Sequence, residues 1–126
     1  IVFSEAGYTN AQEVNNQTIA IDSNVSVVFS QGSANNPPAY YDAGQAIRLY
    51  QNGAVMNISA NGKTITNIEI TFANNQYYIA PDSGEFSAEA SVRTWTGEAS
   101  AVKFTTTGTD KNHRAYVAAI KVTYKN

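Results

Sequence analysis

Alternation between apolar and polar residues, broken at short intervals by turn-forming residues, is the feature that most constrains how this chain can fold. In residues 63–73, Ile68, Ile70 and Phe72 alternate with Asn67, Glu69 and Thr71. A period of two puts successive side chains on opposite faces of a β-strand. Helical periodicity is nearly absent, and the best helical candidate, residues 10–16, is short and polar and predicts a turn or one helical turn. The pattern therefore predicts an all-β fold.

Nine segments are predicted to form strands: residues 18–21, 25–29, 46–50, 54–59, 63–73, 77–79, 91–95, 101–106 and 114–124. The dipeptide Asn61-Gly62 predicts a type I′ hairpin between two of them. In the last segment, one face is predicted to carry Tyr116, Ala118, Ile120, Val122 and Tyr124. Residues 31–44 and 74–89 are predicted to be long loops, the second on either side of a short strand. Turn signals about 8 to 12 residues apart are typical of a sandwich or barrel, and residues 1–126 are predicted to form one domain.

Composition and charge reduce the range of partners, sites and locations that the sequence allows. A net charge of −2 offers no basic surface for a phosphate backbone, so nucleic acid is not expected as a partner. The chain has no cysteine, which excludes disulfides, thiolate nucleophiles and cysteine metal sites. No apolar run reaches the ~18 residues of a membrane span. A charged fraction of only 14% favours a secreted or cell-surface location, and the abrupt apolar start suggests a mature or excised fragment.

Four segments carry a resemblance to a known family: residues 38–50 (PAYYDAGQAIRLY), 65–72 (ITNIEITF), 95–104 (WTGEASAVKF) and Arg114 followed by 120–124 (IKVTY). In this order they resemble an accessory, carbohydrate-binding-module-like β-sandwich of large secreted proteins from gut and rumen bacteria. There it often stands beside catalytic, immunoglobulin-like or dockerin modules. The resemblance spans about residues 6–124 and implies an antiparallel two-sheet β-sandwich, jelly-roll-like, that binds glycans.

Catalytic chemistry finds little support in the sequence. The only histidine, His113, lies in a polar turn, and nothing near it in sequence is expected to act as nucleophile or orienting partner. A glycosidase needs two carboxylates facing one another across a cleft. Glu69 is expected on the outer face of its strand, and most other acids lie in predicted turns: Asp22, Asp42, Asp82, Glu85, Glu98 and Asp110. No cofactor is expected beyond a structural calcium ion, for which Asp42 or the loop with Asp82 and Glu85 would supply oxygen ligands.

Aromatic residues give the strongest indication of a binding surface. A flat ring covers the C–H face of a sugar while nearby polar groups bond its hydroxyls. In the pairs Tyr40-Tyr41 and Tyr77-Tyr78, at most one ring can be fully buried if the chain is extended there, because adjacent side chains point to opposite sides. We therefore expect at least one outward ring in each pair.

Three other tyrosines, the tryptophan and five polar residues complete the prediction for the site and its surroundings. Tyr50, Tyr116 and Tyr124 are expected in the core or at its edge. Trp95 is ambiguous between core and ligand platform, and Arg48 between a ligand contact and a turn brace. The expected hydrogen-bonding partners for a ligand are Arg48, Asn74, Asn75, Gln76 and Arg93.

Two functions remain open from the sequence. One is a non-catalytic carbohydrate-binding module that targets an attached enzyme or surface protein to a polysaccharide or oligosaccharide. The other is a structural or protein-interaction spacer that contacts other modules of the same chain. A row of exposed rings would favour the first, and a smooth threonine and asparagine surface would favour the second.

Overall fold

The computed structural model describes all residues, 1–126, and consists of two antiparallel sheets packed face to face, preceded by a 3₁₀ turn at Phe3–Glu5. The strands are β1 (Gln12–Glu13), β2 (Thr18–Ala20), β3 (Val25–Ser30), β4 (Ala39–Tyr41), β5 (Ala46–Leu49), β6 (Val55–Ala60), β7 (Thr64–Tyr77), β8 (Ile79–Pro81), β9 (Glu85–Phe86), β10 (Val92–Ala99), β11 (Ala101–Thr106) and β12 (Ala115–Lys125). The predicted all-β sandwich is confirmed. No helix in the protein combines the length and hydrophobicity that a membrane crossing demands.

The strand order explains how one chain builds both layers. The larger sheet has seven strands in the order β1-β4-β5-β12-β7-β10-β9, and the smaller has five in the order β2-β3-β6-β11-β8. From β5 onward the chain repeatedly crosses between sheets, so that the last strand lies beside β5 and the penultimate strand beside β6. This nesting of late strands beside early ones is the jelly-roll arrangement that the resemblance implied.

The predicted strands differ from the observed ones mainly at the loops. All nine predicted segments overlap a strand, but the one placed at 77–79 is divided between the end of β7 and the start of β8. The short strands β1, β4 and β9 lie in segments predicted as turn or loop. Two- and three-residue strands are too short for alternation to reveal, and tertiary pairing defines them.

The predicted hairpin at Asn61-Gly62 is wrong. The strand before it, β6, pairs with β3 and β11, whereas the strand after it, β7, pairs with β10 and β12 in the other sheet. Gly62 has a φ of 70°, but Asn61 is not among the residues with positive φ, and a type I′ turn needs both. The dipeptide instead carries the chain from one sheet to the other.

The core lies between the sheets and is built by the predicted alternation. In β3, Val25, Val27 and Phe29 are buried while their neighbours are half-exposed, and in β6 Met56 and Ile58 repeat the pattern. Twenty-five buried residues form one continuous cluster that joins both inner faces. Burying a large apolar side chain stabilises the fold by about 1.5–3 kcal/mol, so this cluster holds the layers together.

A register irregularity in β12 changes which of its residues point inward. Pairing with β7 shifts between Ala115 and Val117 and again between Val117 and Ala119. As a result Ala115 and Val117 are buried in the first half, and the single inward face predicted for 116–124 is wrong there. Tyr116 consequently stands on the outer face, directly opposite Arg48 of β5. A β-bulge reorients side chains in this way because it inserts an unpaired residue.

The outward-facing residues of both sheets are mostly polar. On the larger sheet, three cross-strand rows are formed by Thr96-Asn67-Thr123, Thr94-Glu69-Lys121 and Val92-Thr71-Ala119. Glu69 is exposed there, as predicted from its position between inward isoleucines. On the smaller sheet, the rows are Ser26-Ser59-Ala101, Val28-Asn57-Lys103 and Ser30-Val55-Thr105. Aromatic side chains are absent from these rows.

Candidate functional site

Two groups of aromatic and cationic side chains lie side by side where β4, β5, β7 and β12 meet. The aromatic–arginine cluster consists of Tyr41, Arg48, Tyr50, Arg114 and Tyr116. The tyrosine–histidine group consists of Tyr77, Tyr78 and His113. Arg114 follows His113 directly, and its carbonyl oxygen accepts a hydrogen bond from the Tyr78 backbone N–H at 3.1 Å, so the two groups are joined through the backbone.

Arg48 occupies the centre of the aromatic–arginine cluster. It is paired across the ladder with Tyr116 of β12, and the carbon of its guanidinium lies 4.8 Å from the centre of that ring. On its other side, the same carbon lies 4.0 Å from the centre of the Tyr41 ring. Guanidinium groups are attracted to ring faces, with contributions of about 0.5–2 kcal/mol. Arg48 is therefore held in place mainly by aromatic rings.

Tyr41 and Tyr50 are joined through their hydroxyl groups, 3.0 Å apart. This hydrogen bond, followed by partial burial, raises the pKa of Tyr41 above its ordinary value, while the charges of Arg48 and Arg114 act in the opposite direction. Both arginines are thus close enough to influence the same phenol. Tyr50 itself is buried, as predicted.

Arg114 fixes the boundary between the two groups. Its guanidinium carbon lies 4.7 Å from the centre of the Tyr50 ring, and its Nε donates a hydrogen bond to Gln51 Oε1 at 2.7 Å. Its backbone N–H donates to Gln76 Oε1 at 2.6 Å, and Gln76 Nε2 donates to the carbonyl of Lys111 at 3.2 Å. Gln76 thereby ties β7 to the turn that precedes β12. Its side-chain amide is engaged in this brace, and its assignment as a ligand contact stays a prediction.

The tyrosine–histidine group presents three half-exposed or exposed rings. The ring centres of Tyr77 and Tyr78 are 4.9 Å apart with a 39° angle between the planes, and the imidazole of His113 meets Tyr78 edge-on at 4.6 Å. His113 Nδ1 lies 2.7 Å from Asp110 Oδ1, and that contact lowers the pKa of Asp110. The expectation that nothing near His113 in sequence orients it is therefore wrong. The Asp110 carboxylate also accepts the Asn112 N–H, as in a polar turn.

Two aromatic residues predicted for the site are instead buried. Tyr40 is 4% exposed and stacks on Tyr8, with ring centres 5.8 Å apart, so only Tyr41 of that pair faces outward. The sole tryptophan, Trp95, has no exposed surface and donates its indole N–H to the Ser83 carbonyl at 2.6 Å. Trp95 therefore takes the core position and not the platform position, and Tyr40 is the inward ring of its pair, so neither side chain is an exposed platform.

Arg93 is a structural arginine. Its guanidinium donates four hydrogen bonds to three carbonyl oxygens, those of Tyr77, Ile79 and Ser87, at 2.8–3.1 Å. It also covers the Phe86 ring at 3.9 Å, and burial lowers its pKa. It is 8% exposed, so its assignment as a ligand contact is corrected: it joins the end of β7, β8 and the segment after β9.

Two asparagines predicted to contact a ligand lie at the start of the segment predicted as the loop 74–89. Asn74 and Asn75 are exposed and adopt positive φ of 57° and 56°, which bends the end of β7 toward Tyr77 and Tyr78. Asparagine tolerates this conformation better than most residues. Asn75 thus stands two residues before the Tyr77-Tyr78 rings.

The three carboxylates predicted to bind calcium are not brought together. Asp42 lies between β4 and β5 of the larger sheet, whereas Asp82 follows β8 at the edge of the smaller one and accepts the Lys103 backbone N–H at 3.1 Å. Glu85 is exposed in β9. No group of three or more His, Asp or Glu side chains lies within the reach of one metal ion. A single calcium site cannot include Asp42 together with Asp82, and a site at Asp42 or at the loop with Asp82 and Glu85 stays a prediction.

Sequence reasoning missed the outward orientation of Tyr116 and the role of Arg114. The β12 bulge, which places Tyr116, leaves no mark in the alternation pattern. Arg114 directly follows the only histidine and precedes a strand. This position in the sequence does not predict the contact between its guanidinium and the Tyr50 ring. Two surface depressions lie elsewhere, one of about 480 Å³ beside Asp22 and Asn61 and one of about 370 Å³ beside Ile1 and Glu69.

Comparison of the chain with protein-family models, with curated proteins and with solved structures finds no match. The resemblance to accessory modules rests on the four sequence segments alone and stays a prediction.

Proposed function

We propose that this chain is a secreted, non-catalytic carbohydrate-binding module. The observation that carries the proposal is the presence of two groups of partly exposed aromatic and cationic side chains, the aromatic–arginine cluster and the tyrosine–histidine group, joined through the backbone at Arg114 and Tyr78. The remaining outer sheet faces are mostly polar. Half-exposed tyrosine rings offer apolar faces to sugar C–H groups, and adjacent arginine, amide and imidazole groups offer donors to hydroxyls.

The shape of this surface favours a soluble glycan over a crystalline one. The planes of Tyr77 and Tyr78 differ by 39°, and one face of Tyr41 is covered by Arg48. A flat crystalline polysaccharide requires a row of coplanar rings, whereas tilted rings follow a single twisting chain or its end. We expect two or three sugar rings to be contacted.

The non-catalytic part of the proposal rests on the surroundings of His113. Its Nδ1 is bound by Asp110, its side chain is 46% exposed, and its ring packs on Tyr78. No serine, threonine or cysteine side chain is hydrogen-bonded to the imidazole. A histidine–carboxylate pair without an attached nucleophile lacks the group that attacks a substrate.

Isothermal calorimetry and affinity electrophoresis against a panel of soluble glycans test the proposal. Tyr41→Ala and Tyr78→Ala are expected to weaken binding at least tenfold each, because each removes one stacking ring. Product analysis after long incubation with the bound glycan is expected to show no cleavage.

Tyr124→Ala is the matched control. Tyr124 is also a half-exposed tyrosine of β12, but it lies eight residues beyond Tyr116, or about 26 Å along the strand, and its hydroxyl contacts Asp22 and Asn24. This variant is expected to bind like the unaltered protein. Absence of binding to every glycan, or equal losses in all three variants, would contradict the proposal.

The polar cross-strand rows on the outer faces of both sheets favour a second candidate, a spacer or protein-interaction module in a multidomain chain. Their short threonine, serine and asparagine side chains suit packing against a neighbouring module. If the chain is such a spacer, Thr94→Arg and Asn57→Arg should disrupt its association with adjacent modules, and the unaltered protein should bind no glycan. Pull-down of flanking modules with these two variants separates the candidates.

A further inference from the structure

The aromatic–arginine cluster contains two cations and no carboxylate partner for either. The side-chain ion pairs of the protein are His113–Asp110 and Lys125–Glu98, and neither includes Arg48 or Arg114. Acidic residues outnumber lysine and arginine ten to eight in the chain, so acids are available but are placed elsewhere. Two guanidinium groups within 5.9 Å and 4.7 Å of the centre of the same Tyr50 ring repel one another.

Arg48 differs sharply from the structural arginine of this fold. Arg93 satisfies its guanidinium with four hydrogen bonds to carbonyl oxygens. The Nε of Arg48 is buried and has no hydrogen-bond partner, the one such side-chain atom in the protein. Leaving a buried donor unpaired costs about 1–3 kcal/mol, and more when the group is charged. Such an unpaired buried donor calls for an explanation, and recognition of a ligand by the exposed end of the same guanidinium provides one.

We infer that the aromatic–arginine cluster binds the carboxylate of an acidic sugar, so that the glycan recognised by this chain contains uronic acid residues. The terminal guanidinium nitrogens form a planar fork that matches a carboxylate, and the adjacent Tyr41 and Tyr116 rings offer apolar surface to the attached sugar ring. The inference rests on the proposed function and deepens it by naming the class of glycan.

The electrostatics of the neighbouring phenol agree with this assignment. The charges of Arg48 and Arg114 both act to lower the pKa of Tyr41, so both guanidinium groups lie near this ring. An incoming anion therefore meets two positive charges beside Tyr41. The tyrosine–histidine group beside it, whose Asp110 is already paired with His113, suits the neutral part of the chain.

Binding to three uronate polymers, polygalacturonate, alginate and hyaluronan, tests the inference against their methyl-esterified forms, in which the carboxylate is neutral but the sugar ring is kept. At least one acid polymer is expected to bind at least tenfold more tightly than its ester. Arg48→Gln and Arg114→Gln are each expected to reduce that preference at least fivefold, and added salt to weaken it. Arg114→Lys is expected to restore only part of it, because a lysine keeps the charge and loses the fork.

Lys103→Gln is the matched charge control. Lys103 is exposed on the outer face of the smaller sheet, and its loss changes the net charge equally. This variant is expected to bind normally. Circular dichroism of each variant establishes that it is folded, and Arg114→Gln decides the matter should Arg48→Gln fail to fold.

The outcomes separate the two proposals. Equal binding to acid and ester, or binding to a neutral glycan alone, overturns the uronate inference and leaves the carbohydrate-binding function standing. Binding to dextran sulfate without binding to any of the three uronate polymers also overturns it. Absence of binding to every neutral and acidic polymer overturns both.

Discussion

The hydroxyl groups of Tyr41 and Tyr50 lie 3.0 Å apart, and this hydrogen bond links the half-exposed ring of the binding surface to a buried ring of the core. Because the bond and partial burial raise the pKa of Tyr41, its neutral form is favoured in the folded state. The resulting stabilisation is fully present below the ordinary tyrosine pKa of about 10, and it is lost as pH rises through the higher folded value.

Tyr50→Phe is expected to lower the pKa of Tyr41, since it removes both the hydrogen bond and the second ionising phenol while Arg48 and Arg114 remain. An alkaline titration by NMR with isotope-labelled tyrosine measures this value directly. Tyr116→Phe is the control, because Tyr116 makes no hydrogen bond through its hydroxyl and its removal should leave Tyr41 nearly unchanged. An unaltered Tyr41 titration in Tyr50→Phe would show that the hydrogen bond does not hold the two rings together.

The fold was largely predictable because apolar and polar residues alternate along its core strands. Segments such as Val25, Val27 and Phe29 carry the pattern directly, and burial of one face fixes their register. The Asn61-Gly62 turn misled because a turn dipeptide specifies local backbone, not which sheet the next strand joins. The strands β1, β4 and β9 exist through pairing with distant segments, which a local pattern does not encode.

The candidate site was predictable only in part. The reasoning about adjacent side chains correctly predicted that one ring of the Tyr40-Tyr41 pair faces outward. It gave no means of knowing which, because that depends on the register of β4 against β5. The outward position of Tyr116 depends on a bulge, and the convergence of Arg48 and Arg114 on Tyr50 depends on three strands that are far apart in sequence.

Arg93 gives a prediction about stability. Arg93→Met keeps the aliphatic stem but leaves the carbonyls of Tyr77, Ile79 and Ser87 without their donor. We expect the free energy of unfolding to fall by about 3 kcal/mol, since one buried and two partly buried carbonyls lose a charged donor. Urea denaturation measures it, and Lys103→Met, at an exposed lysine, should change stability by about 0.5 kcal/mol or less. A loss below about 1 kcal/mol in Arg93→Met would mean that the bonds are readily replaced by water.

Trp95 provides a spectroscopic check on the assignment of the core. As the only tryptophan, with no exposed surface, it should emit at short wavelength and resist quenching by acrylamide in the folded protein. Saturation with a bound glycan should leave its emission unchanged, while tyrosine emission responds. A strong glycan-dependent change in tryptophan emission would return Trp95 to the binding surface.

Replacement of Gly84 by a larger residue is expected to destabilise the fold because Trp95 lies against it. A Cβ at Gly84 would stand 2.5 Å from the indole nitrogen of Trp95 and 2.7 Å from the Thr96 carbonyl oxygen, and its φ is +72°. Gly62 has nearly the same φ, +70°, but a Cβ added there would meet no other atom within 4 Å.

Gly62→Ala therefore measures the backbone strain alone, and we expect it to cost about 1 kcal/mol, whereas Gly84→Ala should cost about 3 kcal/mol. In the Trp95→Phe background, the indole nitrogen is gone and part of the clash with it, so the added cost of Gly84→Ala should shrink by about 1 kcal/mol. Chemical denaturation of the four members of this cycle, followed by circular dichroism, gives the coupling. Equal costs at Gly62 and Gly84, or strict additivity with Trp95→Phe, would show that the indole does not constrain the turn at Gly84.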